Sequence, residues 1–380
     1  METVPYWRLS AFYLFYFGSL GALIPYWGLY LQSQGFSAQD IGKLMAVILI
    51  TKLIAPNLWG WIAARTGRHL DLVRLSSLLA VICFSGVFIS HHPLWLAFVM
   101  GSFSFFWNAA LPQIEAMTFA HLGEHFHRYS HIRLWGSIGF VVTVMVLGWL
   151  FERFDITLLP ILLIVLFSSI WLTSLLVPEH DNDYPAVSHE AIHQIIRRPA
   201  VFTLLFVCFL MQLSHGPYYT FYSIYLEEHD YSRSVIGQLW ALGVIAEVGA
   251  FLMMHHWLER FTLHALMTAS LALSGLRWLM IGYGANWFVL LIAAQLLHAA
   301  SFGLFHGVSV QFIRRHFPGR LQAQGQALYS SLSFGAGGAL GSFISGYTWE
   351  NLGMEISYLL AAILCGIATI ISWRWMREVL

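Results

Sequence analysis

Two stretches decide how this chain folds: YLQSQGFSAQDIGKL, residues 30–44, and YLEEHDYSRSVIGQL, residues 225–239. Both begin Tyr-Leu, both place an aromatic before a serine (Phe36-Ser37 and Tyr231-Ser232), and both end Ile-Gly-x-Leu. Every match falls at one offset of 195 residues, about half of the 380-residue chain. A weaker match sets RLWGSIGF, from Arg133, against ALYSSLSFG, from Ala327, at an offset of 194. Self-similarity at a fixed spacing means one structural unit used twice.

Composition says what that unit is made of. The chain is 58% hydrophobic and 10% charged, with 29 Phe, 16 Trp and 16 Tyr, and its mean hydropathy is +0.68. Soluble domains carry about 25% charged residues, so this chain is a polytopic membrane protein. A spanning helix needs about 20 mostly apolar residues. Twelve such runs are present, from 8–31 through 93–119 to 354–375, broken at turn signals such as QSQGFSAQD, RTGRH, GYGAN and ENLGM. The longest polar interruption, residues 177–199, follows the sixth run. The expected architecture is an all-α membrane protein of 12 transmembrane helices in a parallel 6+6 pseudo-repeat. A six-helix bundle over 1–177 and another over 200–380 are joined by a cytoplasmic linker over 178–199.

Charge sets the orientation. With a cytoplasmic N-terminus, fourteen arginines fall on or near the cytoplasmic side (8, 65, 68, 74, 128, 133, 197, 198, 260, 314, 315, 320, 374 and 377) and only Arg153 and Arg233 lie outside. Both termini are then cytoplasmic. Arg8 followed by a full-length span reads as a first transmembrane helix rather than a cleaved signal. A net charge of zero gives no footprint for nucleic acid, and three cysteines inside apolar runs make no disulfide framework. No cofactor and no metal are expected, and the chain is expected to be monomeric.

Ionisable groups in a bilayer are expensive and mark function. The deep ones are Lys52, Glu115, Glu247 and Arg277, with His215, His298 and His306. Lys52 and Glu247 are equivalent at the 195 offset. In the second half, Gln295, His298, Phe302 and His306 share a helix face by spacings of three and four. Burial favours the neutral form of a carboxyl and a nearby cation favours the ionised one. Glu247 beside Arg277 and His298 is therefore the proton-coupling candidate; a static salt bridge is the alternative. In the first half, Asn108, Leu111 and Glu115 share a face, and Glu115 and Arg133 are expected to pair across a short loop. Snorkelling of Arg133 to the headgroups is the alternative. Tyr218, Tyr219 and Tyr222 are candidate ring-stacking residues. Tyr26, Trp27, Tyr30 and Tyr225 read as an interfacial belt. The small-residue faces Gly337-x-x-x-Gly341 and Ser342-x-x-x-Gly346 read as close helix packing, and His306 as a structural hydrogen bond. The loop HLGEHFHRYSH, with His121, His125, His127 and His131, is the one feature pointing to another class, a di-iron membrane enzyme. Such a site needs histidine boxes in several loops.

The segment GWIAARTGRH, residues 60–69, resembles the loop 2–3 signature of the major facilitator superfamily. It keeps Gly60, Arg65, Gly67 and Arg68, which the resemblance implies are gating-loop residues, and has Ala64 and His69 where the signature has Asp and Arg. ALPQIEA followed by IRLWGSIGF resembles the proton-coupled lactose permease group. That resemblance implies solute-binding roles for Glu115 and Arg133 and a ring-stacking role for Phe140, where the permease has Trp. LRWLMIG and LLHAASF resemble its helices 9 and 10, giving Arg277 and His298. Ser301 stands where its coupling Glu lies, so the proton role moves to Glu247. RLWGS, YSRSVIGQLW, GVIAEV and RLQA are similar to the phenylpropionate permease family over nearly the whole chain. The implied function is a secondary transporter, not an enzyme, moving a small organic solute with protons by alternating access. An aromatic carboxylate is the first choice, held by Arg133 or Arg277. A sugar or nucleoside symporter and an exporter of drug-like solutes are alternatives.

Overall fold

In a computed structural model the chain is described over residues 4–179, 192–317 and 321–376. Most of the expected linker, Arg320 and Arg377 of the charge pattern, and the side chain of His127 lie outside the described residues. Those residues are nearly all helical, with no strand among them.

Six helices form the first half: α1 (Tyr6–Ser33), α2 (Ala38–Thr66), α3 (His69–Phe84, continued by a 3₁₀ turn to Phe88), α4 (Pro93–Leu122), α5 (Tyr129–Phe151) and α6 (Leu159–Leu176). After a short helix, Ile192–Ile196, the second half has α7 (Pro199–Glu227), α8 (Arg233–Arg260), α9 (Leu263–Gly284), α10 (Phe288–His316), α11 (321–351) and α12 (Met354–Trp375). Eleven of these are long and apolar enough to cross a membrane by length and composition. The remaining one, α11, is a continuous helical segment rich in Gly and Ser, with a π-helical stretch at Ser331–Gly337. A second π-helical stretch, Ala299–Leu304, follows His298 in α10.

Local chemistry sets the helix ends. The two serines of the repeat are both N-caps: Ser37 accepts the Asp40 N–H that opens α2, and Ser232 accepts the Val235 N–H that opens α8. Gly67, at φ +68°, closes α2 in the left-handed conformation that glycine tolerates best. Pro93, Pro160 and Pro199 sit in first turns, where a missing N–H costs nothing.

The glycines of the repeat do different work. A Cβ on Gly42 of α2 would meet Gly346 Cα and Ser342 O of α11, both at 2.7 Å. A Cβ on the equivalent Gly237 of α8 would meet Val144 O of α5 at 2.6 Å and the Tyr26 hydroxyl at 2.8 Å. Gly28 of α1 is equally close to Thr220 O of α7, at 2.8 Å. These three crossings bring the halves together at the end of the bundle opposite the termini. Polar contacts continue the seam there. The Glu350 carboxylate accepts the Gln39 backbone N–H (2.9 Å), and Arg233 pairs with Glu227 (2.7 Å) while donating to Phe151 O (3.4 Å). Gln32 donates to Glu228 at 3.4 Å.

One expectation is overturned at this seam. Tyr26, Trp27, Tyr30 and Tyr225 are not an interfacial belt: they are 0%, 0%, 4% and 1% exposed. Tyr26 donates to Val144 O (2.7 Å) and Tyr225 to Gly282 O (2.8 Å). Trp27 packs on Tyr30 and Phe84 and Tyr225 on Trp349 and Tyr358, inside their own halves, while the Tyr26 hydroxyl also meets Gly237 across the seam. The packing reading of α11 holds: Gly337 and Gly341 lie against Phe209 and Leu213 of α7, and Gly346 lies against α2. Outward faces carry exposed Ile50, Ile54, Leu58, Phe98, Val165, Leu252 and Ile363, the surface lipid would cover.

Candidate functional site

The central groups of the first half come from α1, α4 and α5. Glu115 is half-buried, and its Oε1 accepts a hydrogen bond from the Tyr129 hydroxyl at 3.0 Å. The expected Glu115–Arg133 ion pair is not formed. The Arg133 guanidinium lies 3.7 Å over the Phe17 ring and 6.0 Å from that of Tyr13. Gly136 makes room for this pose, since a Cβ there would meet Arg133 Nη1 at 2.7 Å and the Phe17 ring at 2.6 Å. Among the described residues Arg133 has no hydrogen-bond or ion-pair partner. Phe140, half-buried, lies seven residues on and shares the Arg133 face of α5.

Asn108 was expected to face solute. It is 5% exposed and donates to Thr51 Oγ1 at 2.9 Å, and Thr51 in turn donates to Ser104. It ties α4 to α2. Gln113, one turn further, is 2.8 Å from His69 Nδ1 and anchors the start of α3. Of the loop residues, Gly60 approaches Gln113 Nε2 (4.0 Å from a built Cβ), Gly67 forms the turn, Arg65 stacks 4.0 Å over Trp61, and Arg68 is exposed.

In the second half the expected Glu247–Arg277 pair gives way to a different arrangement. Arg277 is 0% exposed and donates to Ala294 O (3.0 Å), Ser301 Oγ (2.8 Å) and Gln295 Oε1 (3.4 Å), all on α10. Its guanidinium also lies 4.1 Å over the Tyr218 ring. Arg277 on α9 is therefore tied to α10 and organises it, rather than offering a cation to solute. Glu247, on α8, meets α10 at His298, with 3.5 Å between Oε2 and Nε2. The stack His298–Phe302–His306 runs along the face read from the spacing, with centroids 5.7 and 5.8 Å apart. His306 makes the structural hydrogen bond expected of it, 3.0 Å to the Tyr329 hydroxyl.

Tyr218 is buried and donates to Gln295 Oε1 at 3.0 Å. Tyr222 is fully buried, and its hydroxyl has no partner among the described residues. Tyr219 is half-buried and stacks on His215 at 5.3 Å. Sequence reasoning passed over Tyr129 and Gly136, and saw Phe17 only as one of many aromatics in the first span; these three set the environment of Glu115 and Arg133. Nothing in their local pattern sets them apart from other aromatics and glycines.

A cavity of about 300 Å³ lined by Leu258, Phe261, Thr262, Leu263, Gln311 and Arg315 lies apart from the groups above, near the α8–α9 junction.

Two six-helix halves around an intramembrane cluster of charges define a secondary transporter. The chain belongs to the MFS_1 like family, which matches residues 6–360. It is 27% identical to the probable 3-phenylpropionic acid transporter of Escherichia coli, over 93% of this chain and 94% of that one. It is also 27% identical to the maltose permease of Geobacillus stearothermophilus, over 94% and 91% of the two chains. The nucleoside transporter NupG has the same fold, with a TM-score of 0.84 over 98% of both chains at 18% identity. The protein is thus a multi-pass membrane transporter of the major facilitator type for a small-molecule substrate.

Proposed function

We propose that this protein is an inner-membrane symporter that couples protons to uptake of a small aromatic carboxylate. The 1–177 and 200–380 bundles rock about the central charges, and both termini are cytoplasmic. On that orientation the glycine seam is the outer gate, and its close contacts are those of a closed gate.

The observation that carries the reading is Arg133. A half-buried guanidinium that has no hydrogen-bond partner among the described residues and is set on the Phe17 ring is suited to exchange partners, with Glu115, Glu247 and the solute as the partners it would exchange. Ionised Glu247 pairs with His298 and competes for the field of Arg133. Protonated Glu247 leaves Arg133 to the solute carboxylate. Proton and anion then favour each other's binding, and the linkage is reciprocal. Phe140, Phe17 and Tyr219, all half-buried, offer ring faces to the solute, while Tyr218 and Tyr222 are buried as packing. Likeness to the probable 3-phenylpropionic acid transporter supports the solute class.

In proteoliposomes, Glu247→Gln is expected to abolish uphill uptake driven by a pH gradient while sparing solute exchange. Uphill uptake that survives the substitution would place Glu247 among structural groups. A hydroxylated solute, sugar or nucleoside, is the second reading. It is favoured by the Tyr129-oriented Glu115 carboxylate, a ready acceptor for hydroxyls.

A further inference from the structure

Lys52 takes no part in the arrangement above. It lies mid-way along α2, half-buried. Its neighbours fix where it points. Thr51 bonds Ser104 and Asn108 of α4. Leu53 packs on Gly335 of α11, and Asn57 bonds Ser331 of α11 at 3.2 Å. Ile50, Ile54 and Trp61 form the exposed stripe. At about 100° per residue, Lys52 is roughly opposite that stripe and faces inward between α4 and α11. Among the described residues it has no hydrogen-bond or ion-pair partner, and no charged side chain bears on it.

The charges around the centre do not balance. Lys52, Arg133 and Arg277 are cations; Glu115 and Glu247 are the carboxylates. Three cations against two carboxylates leave one positive charge in excess. Arg277 is held by neutral acceptors of α10 and Arg133 lies on the Phe17 ring, so Lys52 is the one of the three with neither a hydrogen-bond partner nor a ring beneath it among the described residues. A lone ammonium inside a membrane is costly, and an anion beside it relieves the cost. We infer that Lys52 is a further solute-binding residue, the one that selects a monoanion over a neutral solute of the same shape. Its missing counter-ion is the carboxylate of the transported molecule. This inference rests on the reading of the central region as the solute site.

The test compares 3-phenylpropionate with its neutral amide, 3-phenylpropanamide, in binding to the purified full-length protein. Lys52→Gln is expected to weaken the anion at least tenfold and the amide less than threefold; Lys52→Arg should keep the anion within threefold. In the wild type, 3-phenylpropionate should protect Lys52 from reductive methylation, read by mass spectrometry, and the amide should not. That arm needs no variant to fold. Equal weakening of anion and amide, or unchanged anion affinity with no protection, would overturn the role. If Arg133→Gln abolishes anion binding and Lys52→Gln does not, the inference fails while the symporter reading stands. If the wild type binds neither compound, the aromatic-carboxylate reading fails and takes this inference with it.

Discussion

Alanine at Gly42 should prop the outer seam open. The added Cβ would lie 2.7 Å from Gly346 Cα and from Ser342 O, whereas ordinary contacts are 3.4–4 Å. Both obstacles are backbone, so no side chain can swing away. The helices must part by about 1 Å, and overpacking of this kind costs typically 1–3 kcal/mol. That cost applies only while the seam is closed. A bias of about 1–3 kcal/mol is roughly 5–150-fold in the ratio of the two conformations. Gly237→Ala should act in the same direction, because its Cβ would meet Val144 O at 2.6 Å. Gly249→Ala, with no atom within 4 Å of the new Cβ, is the silent control. The assay is electron–electron distance measurement between spin labels at Ser33 and Leu352, in a background lacking Cys83, Cys208 and Cys365. A longer-distance population should grow in the two seam variants, with slower net transport. Distance distributions and transport rates that overlay the wild type in both variants would refute the reasoning.

Other outcomes follow from the same contacts. Gly136→Ala should drive the Arg133 guanidinium off Phe17 and raise the KM for the solute about tenfold, with folding intact by size-exclusion chromatography. Arg277→Leu leaves Ala294 O, Ser301 and Gln295 without their buried donor. At about 1.5–3 kcal/mol for a hydrogen bond to a charged group, a fall in Tm by thermal shift is expected before any question of transport arises. The Asp155 carboxyl, outside the spans, accepts the Thr157 N–H at 2.7 Å, and that hydrogen bond holds it below the usual carboxylate range. A depressed carboxyl stabilises the fold above its unfolded pKa and loses that contribution as pH falls through its folded value. The Tm difference between wild type and Asp155→Asn should therefore shrink on acidification.

Much of this molecule is legible in its sequence. The 195-residue offset and the apolar runs lead to the helix count and the paired halves, because membrane-spanning helices satisfy their own backbone and need only local apolar length. Even α11, rich in Gly and Ser, counts among the twelve runs by length. The serines and glycines of the two opening stretches are legible as repeats, but their duties as helix caps and seam contacts required coordinates. Partnership was the other hidden layer. Sequence placed Glu115 with Arg133, and Glu247 with Arg277, by charge alone. Tertiary packing set Tyr129 against Glu115, gave Arg277 to neutral acceptors on α10 and Glu247 to His298, and buried the tyrosines taken for a belt. Local sequence determines which segments become helices and which faces are apolar. Which charges meet depends on helix rotation and on what stands between them, and only the packed bundle decides that.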